Sequence, residues 1–320
     1  MKAFRTLLYY CYSHIQDAEQ FTATHLKFCK SLGLTGRIII ADEGLNGTVS
    51  GTPEACQAYM DFVYADGRFN ATEFKIDEVD EPSFIKIHCR YKSEIVYSGL
   101  KDPSYIDPTK ETGKHLEPKE FAEMIDRDDV VILDVRSNYE HQMGKFKNAV
   151  TLDIDNFREF PAMINELSKY KDKKVLTYCT GGIKCEKASA LLLKEGFKDV
   201  YQLHGGIVKY GKEAGGKDFE GKCYVFDNRL SVEVNQVNPK VISVCQICGT
   251  TTTKMINCAN PECNVHITQC DACGVTLDGA CSDACKTHPR KRPYDGTGYY
   301  VKVPQPVKPK RPRVEVQNKN

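Results

Sequence analysis

Lys174-Val175-Leu176-Thr177-Tyr178 runs without a break into Cys179-Thr180-Gly181-Gly182-Ile183-Lys184-Cys185-Glu186-Lys187. The first five residues read as a strand buried on both faces. Ala188, Leu191, Leu192 and Leu193 then mark a helix that stops at Gly196. A cysteine between a buried strand and a glycine-containing loop that opens a helix is chemically primed. Successive loop N–H groups can converge as an anion nest, and the helix start adds positive potential. Both favour thiolate over thiol, so Cys179 is the expected catalytic nucleophile, with Thr180, Gly181, Gly182, Ile183, Lys184 and Cys185 as its active-site loop. Lys184 would add a cationic rim. Cys185 would either resolve an oxidised Cys179 or simply pack at the helix start. The bland alternative for Cys179 is a strand-end cysteine followed by an ordinary turn.

Working outward, strands at 130–133 and 200–203 and a helix over 157–170 alternate with this unit, which predicts a parallel α/β domain over 117–225. A polar linker is expected over 91–116, with Asp102-Pro103 and Asp107-Pro108 as breakers. Residues 1–90 read as a strand at 4–12, a helix after Asp17, strands at 37–41 and 46–50, a helix over 53–66, and strands at 72–79 and 84–90. That order predicts an α+β domain of ferredoxin-like type.

The chain has 320 residues, 41% hydrophobic and 27% charged, an ordinary globular composition that suggests two or three domains. It contains no apolar run of about 18 residues and so no expected transmembrane helix. Leu7-Leu8-Tyr9-Tyr10 is too short for a signal-peptide core, and the expected address is the cytoplasm. In such a chain, paired cysteines point to metal or catalysis rather than disulfides. Residues 240–288 hold Cys245 and Cys248, Cys258 and Cys263, Cys270 and Cys273, Cys281 and Cys285. Four close pairs make ligands for two structural zinc ions in a small module. Spacing alone leaves sequential and cross-braced pairing equally open.

The net charge of +1 conceals a basic, proline-rich tail over 289–320, expected to be extended and disordered. Arg290, Lys291, Arg292, Lys310, Arg311 and Arg313 are its candidate RNA contacts, with Tyr294, Tyr299 and Tyr300 able to stack on unpaired bases. His14, His25, His88, His115 and His141 are scattered and expected mostly at the surface. The sequence offers no Gly-rich dinucleotide fingerprint and no evident His₂-carboxylate iron site.

Leu133-Asp134-Val135-Arg136, Tyr139-Glu140, Gly144, Asn148-Ala149, the strand ending at Cys179 and Leu203-His204-Gly205-Gly206 together resemble a rhodanese domain. The resemblance implies a persulfide-forming Cys179, with Asp134 and Arg136 either a structural salt bridge or supporting catalytic parts. Gly36-Arg37-Ile38-Ile39-Ile40-Ala41-Asp42-Glu43-Gly44-Leu45-Asn46-Gly47-Thr48-Val49-Ser50-Gly51 ahead of it, and the extended loop through Lys187, resemble the rhodanese-domain tRNA uridine hydroxylases, the TrhO family. That implies conversion of wobble uridine 34 in the tRNA anticodon arm to 5-hydroxyuridine with O₂, the redox cofactor unspecified. The sequence departs from the family at Lys184, where relatives commonly carry Arg, so the charge stays but a bidentate fork is lost. A persulfide sulfurtransferase and a non-catalytic RNA-binding adaptor are the competing readings.

Overall fold

A computed structural model describes residues 2–298, and the expectations for Tyr299, Tyr300, Lys310, Arg311 and Arg313 lie outside the described residues. The chain divides into a unit ending at Ser243 and a second beginning at Val244.

The first unit opens with β1 (Phe4–Tyr12), α1 (Ala18–Ser31), β2 (Thr35–Ala41), β3 (Gly44–Gly51), α2 (Pro53–Ala65), β4 (Lys75–Val79) and β5 (Ile87–Tyr91). Thr52 caps α2 through a hydrogen bond from the Ala55 N–H at 3.2 Å, with Pro53 at the first helical position. The sheet runs β4-β1-β3-β2-β5. Its first four strands are the antiparallel ferredoxin-like arrangement, and β5 extends it by pairing parallel to β2 from Gly36–Ile87 to Ile40–Tyr91. Alternation along β1 sends Leu7, Tyr9 and Cys11 into the core beneath the helices and Leu8, Tyr10 and Tyr12 to the opposite face. His25, expected at the surface, is fully buried in that core with Nε2 2.8 Å from the Tyr59 hydroxyl. Burial pushes its pKa down to about 4, so it packs as a neutral ring.

The rhodanese-like part follows as β6 (Lys114–Leu116), α3 (Pro118–Met124), β7 (Val130–Asp134), α4 (Asn138–His141), β8 (Gly144–Phe146), β9 (Val150–Thr151), α5 (Ile164–Leu167), β10 (Lys174–Tyr178), α6 (Ile183–Lys194), β11 (Asp199–Leu203), α7 (Gly206–Glu213), β12 (Phe219–Tyr224) and β13 (Ser231–Glu233). The sheet β6-β11-β10-β7-β9 is parallel throughout. Both faces are covered: Leu133, Val175 and Val200 pack with α6 on one side, Ile132, Leu176 and Tyr178 with α7 on the other. The expected linker over 91–116 is built into this unit, since it supplies β6 and buries Ile95 and Ile106. The expected helix over 157–170 is broken into 3₁₀ turns, Phe157–Met163 and Ser168–Tyr170, on either side of α5. Pro161 has no N–H to continue an α-helical ladder there.

One buried cation ties the two parts of this unit together. Lys187 of α6 donates from Nζ to Glu43 at 2.8 Å, to Glu94 at 2.6 Å and to the Val96 carbonyl at 3.0 Å. Its side chain is only 4% exposed. Replacing Lys187 with Met would leave two carboxylates facing each other without their cation, and is expected to cost about 3–5 kcal/mol of unfolding free energy. Urea denaturation checks this, with Glu94→Gln as the milder comparison because it leaves Lys187 matched to Glu43.

The second unit contains β14 (Met255–Asn257), β15 (His266–Thr268), α8 (Asp271–Leu277) and α9 (Asp283–Lys286), the strands pairing antiparallel.

Candidate active site and metal centres

β10 ends at Tyr178, and the next four residues form a turn that closes at the start of α6. Gly182 sits at φ 103°, a region that an L side chain rarely adopts, and its N–H donates to Cys179 Sγ at 3.2 Å. The N–H groups of Lys184 and Cys185 also favour negative charge on that sulfur. The loop's carbonyls are held from outside. Ile207 N–H donates to Cys179 O at 3.0 Å and Val208 N–H to Thr180 O at 3.1 Å, both from the first turn of α7. Gly206 permits that approach, because a Cβ there would stand 2.6 Å from Cys179 O. With its carbonyls engaged, the loop presents its N–H groups to the sulfur, as the nest requires.

Burial opposes ionisation of Cys179. The Cys185 thiol, the Lys184 charge and the backbone N–H groups outweigh it and bring the Cys179 pKa down to about 6. Burial drives Cys185 strongly the other way, so it remains a thiol and donates to its neighbour. Lys184 is less a free rim than expected: its Nζ lies 2.5 Å from Glu140, and its side chain is 13% exposed. Asp134 and Arg136 are fully buried and form a fork of 2.9 and 2.6 Å contacts, extended by Arg136 to Gly144 O at 2.7 Å and by the Tyr178 hydroxyl to Asp134 at 2.5 Å. They brace the end of β7 and the turn after it.

A cavity of about 770 Å³ lies over Cys179. Its floor is Cys179, Thr180 and Gly181, and much of its wall belongs to β1, β2 and β3. The outward face of β1 makes the junction. Tyr10 donates to Glu186 at 2.9 Å, Tyr12 donates to Ile183 O at 3.4 Å, and Leu8 packs against Gly181. Glu186 also accepts from Thr112 and Gln202, each at 3.0 Å, and sits 2.9 Å from His115 Nε2. The loop sequence by itself does not reveal this wall, which includes Arg37, Asn46 and Lys92. The signal that could have found it was the Gly36–Gly51 signature, whose Glu43 and Asn46 make inter-segment contacts.

In the second unit the eight cysteines form two quartets: Cys245, Cys248, Cys270 and Cys273, then Cys258, Cys263, Cys281 and Cys285. The first pair therefore joins the third and the second joins the fourth, the cross-braced choice. Sulfur–sulfur distances of 3.6 Å for Cys248–Cys270, 3.8 Å for Cys263–Cys281 and 3.7 Å for Cys281–Cys285 suit a tetrahedral ion. Zn–S bonds of about 2.3 Å demand edges of roughly 3.8 Å. Each quartet is able to hold a metal ion, and four soft thiolates fit zinc. Arg290 pairs with Glu262 at 3.0 Å, Lys291 with Asp278, and Arg292 donates to the carbonyls of Cys258 and Ala259. These three cations, expected to face RNA, thus also brace their own module.

A parallel sheet that ends in a cysteine cradled by backbone N–H groups defines a rhodanese-type domain, here joined to a ferredoxin-like domain and a metal-binding module. Family models match in the same order: an acylphosphatase-like domain (UPF0176) at residues 4–95, a rhodanese-like domain at 117–213 and a rhodanese C-terminal region at 220–286. A protein of Cytophaga hutchinsonii named tRNA uridine(34) hydroxylase is 64% identical over 94% of this chain and 96% of its own length. Proteins of the same name from Streptococcus pyogenes and Streptococcus agalactiae are each 49% identical over 90% of both chains. The chain belongs to the tRNA uridine(34) hydroxylase family.

The balance at Cys179 is open to titration. Thiolate absorbance of the wild type minus that of Cys179→Ser is expected to rise with pH through a midpoint near 6. Lys184→Ala should shift that midpoint upward, because it removes a positive charge and leaves Glu140 nearby. A midpoint near the ordinary 8.5 of a free cysteine would contradict the site geometry.

Proposed function

We propose that this protein hydroxylates C5 of uridine 34 in the anticodon arm of tRNA, with O₂ as oxygen source and Cys179 as nucleophile. The observation that carries the reading is a cysteine whose sulfur accepts from a backbone N–H at the floor of a cavity, in a chain 64% identical to a tRNA uridine(34) hydroxylase. Addition of the thiolate to C6 of uracil makes C5 an enolate carbon, the electron-rich position that takes an oxygen atom from O₂. The second oxygen atom leaves as water, using two electrons and two protons from two equivalents of an external thiol, which are oxidised to a disulfide. Loss of the C5 proton with expulsion of the Cys179 thiolate restores the ring double bond. Cys185, a buried thiol against the reacting sulfur, protects that sulfur from overoxidation. Two zinc ions in the cysteine quartets are structural, since four protein thiolates leave no open coordination position. Arg290, Lys291, Arg292, Lys310, Arg311 and Arg313 contribute phosphate contacts, and the enzyme works in the cytoplasm with its tRNA substrate.

The same nest would also stabilise the terminal sulfur of a persulfide, which keeps sulfur transfer as the second reading. Nucleoside mass spectrometry separates the two. Cells lacking the gene, and any second hydroxylation route, are expected to lose 5-hydroxyuridine-derived nucleosides from tRNA. Wild type restores them and Cys179→Ala does not. Growth under ¹⁸O₂ should label the new hydroxyl. An unchanged nucleoside profile, with sulfane sulfur recovered on Cys179, would favour the transferase. Metal analysis of the purified chain should return about two zinc ions, and fewer for Cys270→Ser.

A further inference from the structure

The cavity over Cys179 is lined by four cations, Arg37, Lys92, Arg158 and Lys184. Arg37, Lys92 and Arg158 line it and are exposed, and none has an acidic partner among the described residues. Lys184, the fourth cation of the lining, is instead paired with Glu140 at 2.5 Å. Unpaired cations gathered at one opening are suited to phosphate oxygens. Beside them stands Tyr97, which is 59% exposed although it is a large aromatic residue. An exposed ring at a cationic opening is the usual platform for an unstacked base.

The wall also carries a polar reader. Asn46 Nδ2 donates to the Ile95 carbonyl at 3.1 Å. A carbonyl only accepts, so this contact fixes the amide orientation and leaves Oδ1 as the acceptor. Oδ1 receives no hydrogen bond among the described residues, and Asn46 lines the cavity. Uracil carries an N3–H donor, whereas cytosine has an unprotonated N3. The volume of about 770 Å³ falls in the range of small-ligand sites, roughly 300–1,000 Å³, and is far too small for a folded RNA stem.

We infer that this cavity is a single-nucleotide site. It receives one uridine turned out of a single-stranded RNA loop, with Tyr97 against the base, Asn46 Oδ1 accepting from uracil N3–H, and Arg37, Lys92 and Arg158 on the flanking phosphates. The inference rests on the tRNA reading above and adds which residues select and seat the nucleotide. Turning out a base that is already unpaired costs only the stacking of a loop nucleotide, which makes a wobble position accessible. The N-terminal sheet supplies Arg37 and Asn46, so it is the part that reads the base, while the rhodanese-like loop supplies the reacting sulfur.

The test is binding of an anticodon stem-loop RNA to the full-length protein across a salt series, together with steady-state kinetics. Arg37→Ala, Lys92→Ala and Arg158→Ala are each expected to reduce the slope of log K against log salt by about 0.7–0.9. Each should raise KM about tenfold, with a smaller effect on kcat. A stem-loop carrying 3-methyluridine at the target position lacks the N3–H. It should bind wild type less tightly than uridine RNA does, a difference that Asn46→Ala abolishes. Wild-type salt slopes and KM in the three cation variants, or equal binding of the two RNAs by wild type, would overturn the inference. If wild type hydroxylates tRNA while the variants behave like it, only this inference falls. If the variants lose salt slope but no hydroxylation occurs in any protein, the nucleotide site stands and the proposed reaction fails.

Discussion

The buried contact of Lys187 with Glu43 and Glu94 is the constraint on which the rest of the site depends. Lys187 lies two residues beyond Cys185 on α6, Glu43 lies in the turn between β2 and β3, and Glu94 follows β5. Three segments distant in sequence are therefore held at one point, and that point lies on the helix that opens from the Cys179 loop. A buried ion pair of this sort contributes little to net stability compared with a well-packed apolar substitute, yet losing one partner is costly. Its consequence here is positional. The sheet that walls the cavity cannot move away from the cysteine at its floor without stranding a charge.

The sulfur itself is governed by two opposed effects. At 1% exposure, desolvation alone would hold Cys179 as a thiol. The Cys185 thiol, the Lys184 charge and the N–H donors of the turn reverse that, and all of them come from a single turn of chain. The turn keeps this shape because α7 engages its carbonyls and Gly206 lets α7 come close enough to do so. The charge on Lys184 is in turn held in place by Glu140, which leaves Lys184 tuning the thiolate from one side of the loop. Reactivity in this loop thus rests on the Cys185 thiol and the Lys184 charge first, with the backbone N–H groups of the turn adding to them.

The elements legible in the sequence were those fixed by local pattern. The strand before Cys179, predicted at 174–178, matches β10 residue for residue, because the four residues Val175–Tyr178 between a lysine and the cysteine form a mostly apolar, β-prone run that leaves little freedom. The ferredoxin-like order and the eight cysteines followed from equally local signals. What stayed hidden depends on distant partners. Pairing among the four cysteine pairs is decided by how β14, β15 and α8 return on one another, which spacing does not encode. The stretch 91–116 reads as polar linker, yet its Leu116 completes a parallel sheet edge against Leu203. His25 reads as a surface residue until Tyr59, 34 positions away, arrives to bond it. The cavity wall was invisible for the same reason: Arg37 and Asn46 sit on strands whose sequence says which face is buried, but not what packs opposite.

That division has a chemical meaning. An N–H nest stabilises negative charge on sulfur whatever the sulfur goes on to attack, so the loop by itself does not choose between a persulfide donor and a pyrimidine ring. The choice must come from what reaches Cys179. A small anion needs only a rim of positive charge. A nucleobase is flat and carries edge donors and acceptors, and it needs a walled slot with fixed polar groups. The outward face of β1 closes one side of such a slot through Leu8 and Tyr10, and the Gly36–Gly51 signature closes another. On the proposed reading, then, the N-terminal domain is more than an accessory that holds tRNA. It converts a general thiolate into one that meets a single class of substrate, and Lys187 keeps the two parts in register.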